Sequence, residues 1–199
     1  MKSNLVIFLN NDIHSATALR LLWQGLEVHL VKIIISHGVG NSLGLHEKLL
    51  EMKDFEYLDI GKEFGVEVCS YEDINSAIAL RDLKDFSPNL AISIRFGQIL
   101  QQEVINIFPL GILNLHSGIL PNYRGIMASF WMILDGKKDI GMTLHYINDA
   151  GIDNGDIIGF SKKEVDFDLS LTANIHNLYD GGCDLIKDAL KQILSGKTP

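Results

Sequence analysis

Leu5-Val6-Ile7-Phe8-Leu9 is an unbroken apolar run, ended by Asn10-Asn11-Asp12. A strand with one wet face alternates apolar and polar residues, so a continuous run marks a strand buried on both faces. Val28–Ile35, rich in β-branched residues, repeats the signal, as do Leu90–Ile94 (LAISI) and Gly111–Leu115, with a shorter strand at Val66–Cys69. Helical spacing fills the gaps between them. Ala16, Leu19, Leu22 and Trp23 share a face within Ser15–Gln24, Glu47–Phe64 stops at Gly65, and Ile74–Phe86 stops at Ser87-Pro88. Ser36–Leu45, with three glycines, reads as a loop. Repeated β-α units with doubly buried strands predict an α/β fold: a mainly parallel sheet with helices on both faces. Such sheets bind ligands beyond the carboxyl ends of their strands, which points to the segments after Ile94 and after Leu115.

The second half is less regular. Met127–Leu134 is expected to be a helix and Met142–Ile147 and Ile157–Lys163 strands. Leu171–Leu194 has helical spacing with Gly181-Gly182 as the expected kink. No repeat, low-complexity tract or linker divides the chain, so residues 1–199 read as a single domain.

The 199 residues suffice for one proper core, and 47% hydrophobic with 21% charged residues is an ordinary globular mix. No apolar run reaches the roughly 18 residues that cross a bilayer, and the N-terminal stretch reads as a strand, so the expected location is cytoplasmic. Cys69 and Cys183 form no CxxC or Cys/His ligand pattern, so two buried inert thiols and no metal are expected. A net charge of −8 argues against polyanions as partners, although a local basic patch can override the total.

The chemistry concentrates in Asn114–Gly125, NLHSGILPNYRG, where a buried strand ends. Asn114 and His116 are two apart, so in extended chain they point to one side. An Asn amide can donate to a developing oxyanion, and a His can take or give a proton near neutral pH. Asp149–Asp156 (DAGIDNGD) supplies three carboxylates, one of which could orient His116. Asn, His and Asp without a Ser or Cys nucleophile suit direct transfer to an external amine. His145 and Trp131 read most simply as packing residues, Lys137 and Lys138 as a solvated turn. His37 and His46 fall in a loop without the spacing of a phosphate cradle.

The combination Asn114-Leu115-His116, then Leu120-Pro121-Asn122-Tyr123-Arg124-Gly125, then Asp153-Asn154-Gly155, resembles the folate-dependent formyltransferase family. The order and spacing match from about Leu90 to Ile158. The resemblance implies a Rossmann-like, doubly wound domain that binds 10-formyltetrahydrofolate as formyl donor. The folate would lie against Phe96, Gly97, Gln98, Ile99 and Leu100, and against Ile147, Asn148, Asp149 and Ile152 of a second loop. It also implies a cis bond before Pro121 and catalysis by Asn114, His116 and Asp153. An acceptor amine attacks the formyl carbon, and Asn114 and protonated His116 stabilise the oxyanion, each donor being worth roughly 2.7–4 kcal/mol. Asp153 orients His116, favours its charged form and helps move a proton, and proton delivery to the folate nitrogen releases tetrahydrofolate.

The acceptor is less legible. Tyr123, Arg124, Arg95 and Asn10 are the expected substrate contacts. The glycinamide ribonucleotide branch has a phosphate loop after the first strand, whereas Asp12 here would repel a phosphate. The Tyr-Arg-Gly loop followed by Trp131 is closer to the methionyl-tRNA and amino-sugar branches. A small amine, such as an amino sugar on a nucleotide, is the leading expectation. Methionyl-tRNA, glycinamide ribonucleotide, water (a formyltetrahydrofolate hydrolase) and a non-catalytic folate-binding role are the alternatives.

Overall fold

The computed structural model describes residues 3–37 and 57–199. Seven strands form one sheet: β1 (Asn4–Asn10), β2 (Leu30–Ser36), β3 (Glu67–Cys69), β4 (Leu90–Ile94), β5 (Ile112–His116), β6 (Asp139–Tyr146) and β7 (Ile157–Glu164), in the order β3-β2-β1-β4-β5-β6-β7. The first five are parallel; β6 and β7 return antiparallel. The apolar runs that predicted strands at 5–9 and 90–94 occupy the centre of the parallel part, where both faces are covered.

Alternation along β1 shows the two layers. Leu5, Ile7 and Leu9 belong to one core with the helices Ile13–Trp23 and Tyr179–Leu194, and Val6 and Phe8 to the other with the helices Ala77–Phe86 and Gln102–Ile105. Capping fixes the helix starts. Asp12 accepts from the Ser15 amide at 2.9 Å, and the Ser76 side chain accepts from the Ala79 amide, so the second of these helices begins later than its apolar spacing suggested. Of the expected helix 47–64, Tyr57–Phe64 is described; the rest, the loop segment 38–45 and His46 lie outside the described residues.

Two expectations are corrected. Gly181-Gly182 does not kink a long helix. The break comes earlier, between Leu171–His176 and Tyr179–Leu194, and the glycine pair lies in the first turn of the latter. There it permits close packing, because a Cβ on Gly182 would meet Met142 Sδ at 2.6 Å. Trp131 is not a core residue. In the helix Ala128–Leu134 the core positions are Ala128, Ser129 and Met132, and the indole, about 100° away around the axis, is 51% exposed.

Candidate active site

The strand order reverses between β1 and β4, so the carboxyl ends of β1, β4 and β5 border one crevice. Asn10, Arg95 and His116 follow or end these strands at the same level, since Leu9 pairs with Ile94 and Ile94 with Leu115. Arg95 adopts φ +57° and directs its Nε to Asp12 Oδ2 at 2.9 Å. Asn10 Nδ2 donates to the same carboxylate oxygen at 2.9 Å. These two expected substrate contacts are thus joined to Asp12.

Asn114, His116 and Asp153 meet, although Asp153 is 37 or more residues away. Asp153 stands at φ +48°, a conformation that Asp tolerates better than most side chains, and turns its carboxylate inward. Its Oδ2 lies 3.3 Å from His116 Nδ1 and accepts the Gly125 amide at 2.8 Å. Its Oδ1 accepts from Asn114 Nδ2 at 3.3 Å. Gly155 lets the loop lie this close: a Cβ there would collide with the Tyr146 carbonyl.

Hydrogen-bond logic assigns the protons. His116 Nε2 is 2.6 Å from the Tyr123 carbonyl, which only accepts, so Nε2 carries a hydrogen and Nδ1 is the site that exchanges a proton with the Asp153 side. Burial pulls the His116 pKa below the ordinary 6.5; Asp153 and the Tyr123 carbonyl oppose this and lose. Asp153 favours the charged form of His116, as expected, but burial outweighs it and tilts the balance toward the neutral ring. Burial works to raise the Asp153 pKa, but His145, His116 and the Gly125 amide hold it below the usual carboxylate range.

Sequence reading missed two residues. His145 pairs with Asn114, and Thr143 with His116, across β5 and β6. His145 is buried and places Nδ1 2.8 Å from the Tyr146 carbonyl. Nδ1 must therefore carry the hydrogen, and Nε2 lies between Asn114 Nδ2 at 3.0 Å and Asp153 Oδ1 at 3.4 Å. Thr143 accepts the Leu120 amide at 3.1 Å and donates to the Gly118 carbonyl at 2.6 Å, anchoring the loop that contains the cis Leu120–Pro121 bond. The available signal was polar residues two apart in an otherwise apolar strand, the pattern of Asn114 and His116.

A cavity of about 150 Å³ opens beside Asn114 and His145. Phe96, Gln98, Ile99 and Leu100 line one side, Ile147, Asp149 and Ile152 the other. Gly97 and Asn148 do not line it: the Gly97 amide donates to Ser36 Oγ at 2.7 Å, and the Asn148 side chain to Asp156 at 3.0 Å. The Gln98 side chain is held by the Ile74 amide and the Tyr71 carbonyl, which leaves backbone to face a ligand. Tyr123 donates its hydroxyl to Asp135 at 2.9 Å, and Arg124 is exposed.

The cysteines take no part. Cys183 is buried and its thiol is pushed up to about 12 by burial; Cys69 is half-buried rather than buried, and burial raises it too. Glu67, Cys69 and Asp82 are the one group of metal-ligand side chains among the described residues. They surround the buried Lys32 ammonium, 2.9 Å from both carboxylates.

The family model described as formyl transferase matches residues 65–186. The chain belongs to the formyl transferase family. The methionyl-tRNA formyltransferase of Halothermothrix orenii is 36% identical over 139 residues, 69% of this chain and 43% of that one. That of Lysinibacillus sphaericus is 28% identical over 191 residues, 96% of this chain and 58% of its own. The chain thus spans less than two thirds of these relatives. Among solved structures, glycinamide ribonucleotide transformylase 1 of Symbiobacterium toebii superposes with a TM-score of 0.78 at 18% identity, over 98% of this chain and 89% of that one. A sugar N-formyltransferase of a Shewanella species gives 0.63 at 16%, over 98% and 70%. These likenesses show the same Rossmann-like α/β fold. The family's formyl donor is 10-formyltetrahydrofolate. The cavity's mixed lining fits its pterin head: Phe96, Ile99 and Leu100 offer apolar contact, and the backbone of both loops offers donors and acceptors.

Proposed function

We propose that this chain transfers the formyl group of 10-formyltetrahydrofolate to an amine, with Asn114, His116 and Asp153 as its catalytic residues. The observation that carries the reading is the convergence of these three side chains within 3.3 Å contacts: Asn114 and Asp153 line the cavity between the two loops, and His116 stands behind Asp153.

The Asn114 amide is the donor closest to that cavity. It donates to Asp153 only over a long 3.3 Å bond, a weaker claim than a developing oxyanion makes on an N–H. Neutral His116 accepts the proton of the attacking amine at Nδ1 and becomes cationic beside Asp153, which then stabilises it and offers the route by which the proton reaches the folate nitrogen. Atoms balance: a C–N bond to the acceptor forms, the C–N bond to the folate breaks, and one proton moves from one nitrogen to the other.

Two sets of relatives bear on the acceptor. The curated relatives are methionyl-tRNA formyltransferases, and a sugar N-formyltransferase shares the fold. An amino sugar nucleotide is the acceptor we favour, with methionyl-tRNA as the second reading because of those relatives. The test is a panel of amines with 10-formyltetrahydrofolate, monitoring tetrahydrofolate release. Asn114→Ala, His116→Ala and Asp153→Ala are each expected to lower turnover at least about a hundredfold. Near-normal turnover in His116→Ala would remove it from the mechanism, and formate release without any amine would make water the acceptor.

A further inference from the structure

Past the loop 117–125, the same rim of the sheet carries a second hollow. β6 runs antiparallel to β5 and pairs Thr143 with His116, so its first residues project beyond the carboxyl end of β5. Together with the turn before them and the paired part of β7 they border a groove of about 510 Å³, a size suited to a ligand of several hundred daltons. Ile119, Tyr123 and Met132 form its apolar lining. Lys137, Lys138 and Lys162 form its charged lining, with Asp135 and Asp139 beside them.

These lysines are exposed and, like Lys84, Lys163 and Lys197, make no ion pair among the described residues. Asp135 is engaged by the Tyr123 hydroxyl. Against the two carboxylates, the three ammonium groups leave the groove lining a net charge of +1 in a chain of net charge −8. The sequence expectation of a merely solvated turn at Lys137 and Lys138 does not account for Lys162, brought there from β7. Tyr123 links groove and reaction centre: its carbonyl accepts from His116 Nε2, and its ring lines the groove.

We propose that this groove binds phosphate of the acceptor, so that an amine placed at Asn114 and His116 belongs to a phosphate-bearing molecule whose phosphate oxygens meet Lys137, Lys138 and Lys162. The acceptor part of this statement rests on the formyl-transfer reading; the phosphate site does not.

Titration of the whole chain with inorganic pyrophosphate, without folate, followed by amide NMR shifts, tests the site. Shifts should concentrate at residues 135–139 and 160–163. The triple variant K137A/K138A/K162A should weaken binding at least about tenfold, and K187A/K191A, on the helix Tyr179–Leu194, should not. Circular dichroism melts establish that both variants fold, and K138Q, which alters packing least, should weaken binding in the same direction. Shifts mapping elsewhere, or equal affinity in the folded triple variant, overturn the proposal. Pyrophosphate binding in a chain that formylates no amine would reject the enzymatic reading and keep the groove; transfer to amines without pyrophosphate binding would do the reverse. A nucleoside diphosphate and a short RNA hairpin, titrated alike, separate the sources: a steep salt dependence with tighter RNA binding identifies phosphodiesters, and tighter nucleotide binding identifies a nucleotide.

Discussion

The Asn114 amide nitrogen lies 3.0 Å from His145 Nε2 and donates to Asp153 Oδ1 at 3.3 Å. Asp153 can only accept, and the His145 ring is oriented by its Nδ1–H on the Tyr146 carbonyl. The amide therefore cannot turn its oxygen toward Asp153 without placing acceptor against acceptor. His145→Phe, of similar bulk at a buried position, removes one side of this arrangement. It should lower kcat about tenfold, from the worth of one hydrogen bond, while changing KM for the formyl donor less. His145→Gln, which keeps an acceptor, should retain more activity. Steady-state kinetics on both variants decide it: unchanged kcat in His145→Phe would leave His145 a packing residue. The Asn114–His116 pair and Asp153 were legible because unusual polar residues at a strand end and a distinctive loop announce themselves in one dimension. His145 and Thr143 were not, since their partners depend on which residue of β5 they face, and strand register is a property of the folded sheet.

At the level of elements, the parallel strands were readable because burial on both faces leaves a continuous apolar run, and helix faces because apolar residues recur at helical spacing. What failed has a physical cause in each case. Trp131 lies on a helix of seven residues, too short for spacing to distinguish its inward from its outward face. The Gly181-Gly182 pair allows a helix to approach β6, which is a contact between elements remote in sequence. Gly155 belongs to the same class, and it joins fold to site. Gly155→Ala must displace the loop 149–156 from the Tyr146 carbonyl, since backbone cannot rotate away as a side chain can. The variant should lose about 1–3 kcal/mol of stability, from overpacking, and turnover should fall with it because Asp153 moves off His116 and Asn114. Chemical denaturation and kcat, taken together, check this. Wild-type stability with wild-type kcat would mean that the loop shifts without consequence for the site.

Across the whole molecule, ionisable groups near the crevice share one direction of response to acid. His14 and His116 are both held below the ordinary histidine value of 6.5, by burial first; the Arg95 and His176 charges add to this at His14, and His145 at His116. As pH falls below about 6.5 the unfolded chain binds protons at these positions while the folded chain resists them. The unfolded state then holds more protons, so stability rises with pH in this interval and declines on acidification. Asp12 and Asp153 act lower down. Burial raises each, but Arg95 at Asp12, and the histidines with the Gly125 amide at Asp153, hold both below the ordinary 3.8. Their stabilisation is complete above that value and is lost as pH drops through the folded pKa values beneath it. The urea midpoint, measured in steps from about pH 7.5 to about pH 3, should therefore fall in two stages, the first starting near pH 6.5. His116→Asn removes one titrating group without adding charge and should shallow the first stage while leaving the second. A midpoint independent of pH between about 6.5 and 4.5 would show that the buried imidazoles are as free to charge in the folded crevice as in the unfolded chain, and a neutral resting His116 could not then be the acceptor of the amine proton.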